Sequence, residues 1–215
     1  MGARRRRPPA GRPQRRTQVI AAIVMAAGAS SRMGRPKALL RAGDRSFVRR
    51  ILETLQRGGV QDAVVVIRQD ADSVREEVES AAFGRAIVNP GADAGQLSSL
   101  ITGLDVVDRP GVDAVLVTLV DVPLIQAATV RALIGRAPLS GANVVRAVYH
   151  GRHGHPVIFK RAVFEALRRA DPAAGAKAVV RAAIVDDVEV DDPGVVEDVD
   201  TADDYIRLFG VNPVQ

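Results

Sequence analysis

The sequence predicts an α/β fold of three layers, with helices on both sides of a mostly parallel central sheet. A continuous apolar run at residues 19–25 and a run of apolar or β-branched residues at 114–120 are typical of strands that are buried on both faces. Segments with apolar residues at helical spacing alternate with such runs, which favours a parallel sheet. Hydrophobic residues make up 47% of the 215 residues but aromatic residues only 3%, so Val, Ile, Leu and Ala must fill most of the core.

The first half of the chain predicts three strands and three helices in alternation. The strands are predicted at 19–25, 63–67 and 86–88. The helices are predicted from Phe47 up to Gly58, over 72–82 and over 97–107. Gly58 and Gly59 end the first helix, because glycine readily adopts the left-handed conformation found at helix C-termini.

The second half begins with the strongest strand signal, at 114–120, which stops at Asp121. A helix is predicted over about 126–135. Extended segments are predicted at 143–149 and 156–159, on either side of a loop over 150–155. Helices near 160–170 and 174–183 and a late strand at 184–190 complete the order.

The predicted domain spans residues 19–210 and is preceded by an Arg-rich tail, residues 1–18, that we expect to be disordered. The tail holds seven Arg and no acidic residue, and it is rich in Pro and Gly. The remaining 23 basic residues face 25 acidic ones, so the net charge of +5 originates in the tail. A solvated extension is favoured, with a nucleic-acid tether or a twin-arginine export signal as alternatives. Nucleic acid is therefore not the expected partner.

Two features that the sequence lacks bear on the compartment in which the protein is expected to function. No segment is long and apolar enough to predict a membrane-spanning helix, so no membrane partner is expected. The absence of Cys excludes disulfides and thiolate chemistry, and it fits a reducing compartment. We therefore expect a cytoplasmic protein.

A Gly-rich loop follows the first predicted strand and reads Ala26-Ala27-Gly28-Ala29-Ser30-Ser31-Arg32-Met33-Gly34-Arg35-Pro36-Lys37. The carboxyl edge of a parallel sheet, where this loop begins, is where ligands of open α/β folds bind. Its glycines allow the backbone to approach phosphate, while Ser30, Arg32 and Lys37 supply donors and positive charge. The loop is neither a Walker A motif nor a Gly-x-Gly-x-x-Gly fingerprint. A strand-to-helix turn with surface cations is the alternative interpretation.

Two acidic features accompany the loop. Asp121 follows the most apolar strand, where its carboxylate could bind a Mg²⁺ shared with substrate phosphates. A turn-initiating Asp before Pro is the alternative. Asp200 could cap the last helix and still direct one oxygen at a metal. A phosphate loop and two carboxylates at separate sheet edges are more specific together than any one of them alone.

Six motifs occur in the order seen in the MobA-like NTP transferase family. They are Ala26-Ala27-Gly28-x-Ser30-x-Arg32-Met33-Gly34-x-x-Lys37, Asn89-Pro90, Gly95-Gln96-x-x-Ser99-Leu100, Asp121-x-Pro123, Gly154-His155-Pro156 and Asp198-Val199-Asp200-Thr201. The sequence resembles this family from about residue 19 to 209. The resemblance implies a single Rossmann-like nucleotidyltransferase domain.

The resemblance also implies roles for particular residues. Arg32 and Lys37 would neutralise the triphosphate, and Asp121 would act with them in catalysis. Asp121 would also bind Mg²⁺, with Asp200 as the second carboxylate. The residues implied to bind the nucleotide are Ala26, Ala27, Gly28, Ser30, Gln96 and Ser99. The residues implied to bind the acceptor are Gly154 and His155.

The loop variant indicates which branch of the family the sequence resembles. The guanylyltransferase branch usually reads Leu-Ala-Gly-Gly, whereas this chain has Met25-Ala26-Ala27-Gly28, which looks like the molybdenum cofactor cytidylyltransferase branch. The resemblance therefore implies transfer of CMP from CTP to molybdopterin, with a molybdoenzyme as a candidate partner. Alternatives are a sugar or alditol phosphate as acceptor, or an accessory protein that binds molybdenum cofactor without catalysis.

All three histidines lie within the segment 150–155. A zinc site is one interpretation, although no Cys or carboxylate lies in the cluster. The favoured interpretation is a flexible Gly-rich loop in which His155 faces an anionic acceptor.

Overall fold

The computed structural model describes residues 19–28 and 35–212. The strands of these residues are β1 (Val19–Met25), β2 (Arg41–Ala42), β3 (Arg45–Ser46), β4 (Asp62–Ile67), β5 (Arg85–Val88), β6 (Val112–Leu119), β7 (Val144–Tyr149), β8 (Arg152–Lys160) and β9 (Val185–Glu189). The α-helices are α1 (Phe47–Arg57), α2 (Asp72–Glu79), α3 (Gln96–Val107), α4 (Ala127–Arg136), α5 (Phe164–Arg168), α6 (Gly175–Ala182) and α7 (Ala202–Phe209). The predicted tail, residues 1–18, and the loop positions Ser30 and Arg32 lie outside the described residues.

Seven strands form one sheet in the order β5-β4-β1-β6-β8-β7-β9. The neighbours β5 and β4, β4 and β1, β1 and β6, and β7 and β9 are parallel. Strand β8 alone in this sheet runs antiparallel to both of its neighbours. The prediction of a mostly parallel sheet is confirmed, and each of the seven predicted strands belongs to it.

Helices cover both faces of the sheet, as the continuous apolar strands require. In β1, Ala22 and Val24 belong to a core cluster that includes residues of α1, α2, α4 and α7. The alternate residues Ala21 and Ile23 belong to a second cluster with residues of α3, α5 and α6. Helix α3 lies so close to β1 that a Cβ at Gly103 would be 2.6 Å from Ile23 Cγ2. The predicted three-layer α/β fold is confirmed.

The predicted loop over 150–155 is wrong. The chain turns at only two residues, His150 and Gly151, which both have positive φ, and β8 begins at Arg152. Two residues with positive φ form the tight turn that suits the twist of a β-hairpin. The Gly and His residues that indicated a flexible loop therefore belong largely to a paired strand.

Other differences are smaller. The hairpin of β2 and β3 was not predicted, since two residues per strand are too few to show a periodic pattern. Helix α2 ends at Glu79 rather than near 82, and the helix predicted over 160–170 consists of a short 3₁₀ turn followed by α5. Within the described residues, no helix is long and apolar enough to cross a membrane.

Candidate active site

The carboxyl ends of β1, β4 and β6 meet at one edge of the sheet and border a cleft of about 440 Å³. Parallel strands bring their following loops to the same edge, which explains why segments far apart in the chain converge here. The predicted site residues that line this cleft are Ala26, Ala27, Gly28, Lys37, Gln96, Ser99, Asp121 and Asp200. We name this space the nucleotide cleft. Its lining includes every described residue that was predicted to bind the nucleotide or the metal.

Asp121 lies two residues beyond the end of β6, and its side chain is 20% exposed. Its Oδ1 atom is buried and has no hydrogen-bond partner among the described residues. Burial raises the pKa of this carboxyl group above its usual value, and the nearby Asp200 charge raises it further against the opposing effect of Lys37. An unsatisfied buried carboxylate oxygen is costly for a fold and therefore indicates a functional requirement.

Asp200 is brought beside Asp121 by a backbone contact, since Val199 N–H donates to the Asp121 carbonyl over 2.8 Å. The sequence left open whether Asp200 caps the last helix. In the structure Thr201 is the N-cap of α7, and the Asp204 side chain completes a capping box with it. Asp200 is therefore not needed as the cap, and its carboxylate faces the cleft.

Lys37 joins the two carboxylates. Its Nζ lies 2.5 Å from Asp200 Oδ1 and 3.5 Å from Asp121 Oδ2. With both carboxylates ionised, Lys37, Asp121 and Asp200 together carry one net negative charge, next to the Asp121 Oδ1 that has no hydrogen-bond partner among the described residues. This donor set suits a hard divalent cation such as Mg²⁺, which binds one or two carboxylates and takes its other ligands from phosphates and water. No group of three or more His, Cys, Asp or Glu that could hold a metal exists among residues 19–28 and 35–212, so a cation here would depend on such added ligands.

The predicted nucleotide residues play different local roles. Ala26 N–H donates to Val66 O over 2.9 Å, so this amide extends the sheet and is not available to a ligand. Gln96 is the first residue of α3 and is exposed at the cleft. Ser99 is only 4% exposed, and its hydroxyl accepts a hydrogen bond from Asn89 Nδ2. Of these three residues, Gln96 has the side chain that is best placed to reach a ligand.

Asn89 organises the loop on this side of the cleft. Its side chain is buried, its amide donates to both Ser98 and Ser99, and its Oδ1 accepts from Gly91 N–H over 2.9 Å. A buried side chain with all these contacts holds the segment between β5 and α3 in one conformation. The Asn89-Pro90 motif therefore supports the site without lining it.

Arg68 is a cleft residue that the sequence analysis missed. It directly follows β4 and lines the nucleotide cleft, where its guanidinium contacts Asp93 over 2.8 Å and Asp70 over 3.3 Å. Its position in the sequence could have identified it, because a cation immediately after a buried parallel strand lies at the edge of the sheet where ligands bind.

A second cleft of about 670 Å³ adjoins the first, and Met25, Gln96 and Leu119 line both. We name it the distal cleft. The predicted acceptor residues Gly154 and His155 line it. They reach this edge because β8 is antiparallel, so its beginning lies beside the carboxyl end of β6.

The two predicted acceptor residues have structural roles that the sequence did not show. His155 Nδ1 lies 3.4 Å from the Val117 carbonyl oxygen, and burial lowers the pKa of His155 despite that contact. A Cβ at Gly154 would overlap with the carbonyl group of Val195. Gly154 is therefore required for close packing whether or not it touches an acceptor.

The histidines do not form a metal cluster. His153 Nε2 lies 3.4 Å from Asp187, and His155 contacts a backbone carbonyl instead. Together with the absence of any candidate metal group among the described residues, this argues against the zinc interpretation.

Comparison with known proteins identifies relatives over most of the chain. Nicotine blue oxidoreductase from Paenarthrobacter nicotinovorans is 30% identical over 202 residues, which cover 88% of this chain and 96% of that protein. Molybdenum cofactor guanylyltransferase from Rhizobium meliloti (strain 1021) is 35% identical over 141 residues, covering 63% of this chain and 60% of that protein. The crystal structure of Rv0371c from Mycobacterium tuberculosis H37Rv superposes with a TM-score of 0.78 at 29% identity, covering 91% of this chain and 100% of that one.

The same mycobacterial protein has also been solved as a complex with manganese, which matches with a TM-score of 0.72 at 28% identity over 90% of this chain and 99% of that one. Residues 22–188 match the MobA-like NTP transferase domain. This match includes the nucleotide cleft except for Asp200. The chain therefore belongs to the MobA-like NTP transferase family and is a nucleotidyltransferase.

Proposed function

We propose that the protein transfers CMP from CTP to the phosphate of molybdopterin and releases pyrophosphate. The observation that carries the proposal is the group of Lys37, Asp121 and Asp200, which lies in a nucleotide cleft that opens into a second cleft. This arrangement suits a reaction that joins two substrates at a charged centre. The favoured cellular location is the cytoplasm, as expected for a chain without Cys.

Mg²⁺ is the proposed metal, and Asp121 and Asp200 would hold it. When bound, it would neutralise negative charge on the triphosphate. The orphaned Asp121 Oδ1 supports this assignment, because a cation would satisfy the oxygen that the described residues leave without a partner. The manganese complex of the mycobacterial relative is consistent with a divalent cation in this family.

The chemistry needs no general base, because the acceptor phosphate is already anionic. Its oxygen forms a bond to the α-phosphorus of the nucleotide as the bond to the β-phosphate oxygen breaks, and pyrophosphate leaves in line. Lys37 would stabilise the charge that develops during this exchange, with Arg32 assigned the same task by family resemblance. Catalysis then depends on alignment and charge neutralisation.

The choice of CTP depends on Ala27, where the guanylyltransferase branch usually has Gly. Ala27 is 4% exposed and lies between the core and the nucleotide cleft, so its methyl group limits the space beside the nucleotide. The similarity to a guanylyltransferase makes GTP the competing substrate.

The direct test is pyrophosphate release with Mg²⁺ and each of the four NTPs, with and without molybdopterin. We expect release only when CTP and molybdopterin are both present. Release with GTP and molybdopterin would overturn the choice of nucleotide. Release only with a sugar or alditol phosphate would retain the reaction class and reject molybdopterin. No release with any pair would favour a cofactor-binding accessory role.

The similarity to nicotine blue oxidoreductase over 88% of the chain makes a redox reaction the competing function to be tested. The chain contains neither Cys nor a Gly-x-Gly-x-x-Gly loop, so thiol chemistry and the usual dinucleotide fingerprint are absent from its sequence. Oxidation of NADH or NADPH in the presence of nicotine blue would measure this activity, and we expect none above the rate without protein.

A further inference from the structure

The distal cleft differs in charge from the nucleotide cleft. The described residues that line it include Arg146, Lys177 and Arg181 but no Asp or Glu. Its floor is apolar and is formed by residues such as Leu100, Val117 and Phe159. The cleft therefore combines an apolar surface with uncompensated positive charge.

The three cations are not equivalent. Arg146 is paired with Asp187, with contacts of 2.9 and 3.1 Å between the guanidinium and the carboxylate. Lys177 and Arg181 form no ion pair with any residue in 19–28 or 35–212, and both are exposed. The net positive charge of the cleft thus comes from α6.

The geometry of α6 makes these two cations a pair. They are four residues apart, so they lie on the same face of the helix, one turn from each other. Val180 also lines the cleft, while Val179 is buried in the core beneath the helix. Two like charges at this spacing repel each other, and that repulsion is relieved when an anion binds between them.

We propose that Lys177 and Arg181 form a second anion site, which selects acceptors bearing a negatively charged group remote from the phosphate that receives the nucleotide. The acceptor class that fits is an amphipathic polyanion. Its flat apolar body would lie on the apolar floor of the distal cleft, with one anionic end near Lys37 and the other near Lys177 and Arg181 of α6. This inference rests on the proposed function, because it assigns the distal cleft to the acceptor.

A binding experiment tests the site without relying on turnover. The probe is 1-anilinonaphthalene-8-sulfonate, which has an apolar body and one anionic group, and the matched neutral probe is N-phenyl-1-naphthylamine. The test variant is the double substitution Lys177→Gln and Arg181→Gln. Its control is Arg131→Gln with Arg169→Gln, which removes two exposed charges from α4 and the end of α5, outside the cleft.

We expect the test variant to bind the sulfonate about tenfold more weakly, since it loses charged hydrogen-bond donors, and to bind the neutral probe unchanged. The control variant and the charge-preserving pair Lys177→Arg with Arg181→Lys should bind both probes normally. Unchanged sulfonate affinity in the test variant would overturn the site. Equal weakening of both probes would also overturn it, because the residues would then act through packing.

Turnover then links the site to the acceptor. In the test variant the KM for molybdopterin should rise about tenfold, while kcat and the KM for CTP stay unchanged. A charge-dependent sulfonate site combined with an unchanged molybdopterin KM would reject its assignment to the acceptor. Absence of any CTP and molybdopterin turnover in the unsubstituted protein would count against the proposed function, whereas the binding result would still decide whether the anion site exists.

Discussion

The nucleotide cleft and the distal cleft share Met25, Gln96 and Leu119, yet the charged residues in their described linings differ. The nucleotide cleft places carboxylates and cations in contact, with Lys37 between Asp121 and Asp200. The distal cleft has cations over an apolar floor and no carboxylate in its described lining. A site that must hold a metal needs negative oxygen ligands, whereas a site that must hold an anionic acceptor needs to exclude them. From this difference we propose that the metal and the triphosphate bind in the nucleotide cleft and the acceptor in the distal cleft.

The largest expected effect comes from removing the charge of Asp121. Asp121→Asn should lower turnover about 10³-fold, since it replaces one carboxylate oxygen by an amide nitrogen and removes the negative charge that would hold the cation. The thermal unfolding temperature should stay the same or rise, because the substitution neutralises a buried carboxylate whose Oδ1 has no described partner. Steady-state pyrophosphate release and thermal unfolding measure the two effects.

The matched control for this substitution is Asp203→Asn, which changes an exposed carboxylate in the first turn of α7. It should turn over normally. Near-normal turnover of a folded Asp121→Asn protein would contradict the proposal that the metal binds in the nucleotide cleft.

Lys37→Ala should have the next largest effect, a loss of about 10²-fold in turnover, because we propose that Lys37 neutralises charge on the nucleotide. The substitution also leaves Asp121 and Asp200 without the cation that joins them. Mg²⁺ alone should then raise the unfolding temperature more in the variant than in the unsubstituted protein, as binding to the folded state stabilises it. An equal Mg²⁺ effect in both proteins would argue that the carboxylates do not share a cation.

Gly154→Ala tests whether the wall of the distal cleft depends on close packing. The new methyl group would overlap with the Val195 carbonyl, so we expect a loss of about 2 kcal/mol in the free energy of unfolding. Gly141→Ala is the matched control, because a Cβ there meets nothing within 4 Å and its φ is not positive. Urea denaturation of both variants measures the difference, and equal stabilities would show that the wall can shift to accommodate a side chain.

The smallest expected effect concerns pH and His155. Its pKa is lowered in the folded state, so the unfolded chain binds more protons and stability falls as the pH drops below about 6.5. His155→Gln should reduce this loss, seen as a smaller difference in unfolding free energy between pH 7.5 and pH 5.5. An identical pH dependence in both proteins would mean that His155 protonates freely. At low pH the charge on His155 would then add to the positive charge that α6 gives the distal cleft.

The fold was predictable because its strands carry local signals. The run at 19–25 is apolar throughout and the run at 114–120 is apolar except for Thr118, a pattern typical of strands that are covered on both faces. Chain order then places the residues after these strands, including Asp121, at the ligand-binding edge. The same rule could have identified Arg68, which follows β4 directly.

The error at 150–155 has a different cause. Gly and His residues indicate a loop by composition, but the pairing of Tyr149 with Arg152 continues the ladder up to a two-residue turn. Pairing is a property of two strands and is not visible in either one. The capping of α7 is a similar case, since Thr201 and Asp200 are both suitable N-cap residues and the helix geometry selects Thr201.

The sequence by itself determined the layer architecture, the order of the elements, and the loop and carboxylates at the sheet edge, because each depends on periodicity and on residues close in the chain. Only the tertiary structure decided which of these residues act together. Lys37 and Asp200 are 163 positions apart and come into contact because α7 packs against the same face of the sheet as α1. The absence of carboxylates from the described lining of the distal cleft is likewise a property of the packed chain, since it depends on which faces of α3, α6 and β8 enclose the same space.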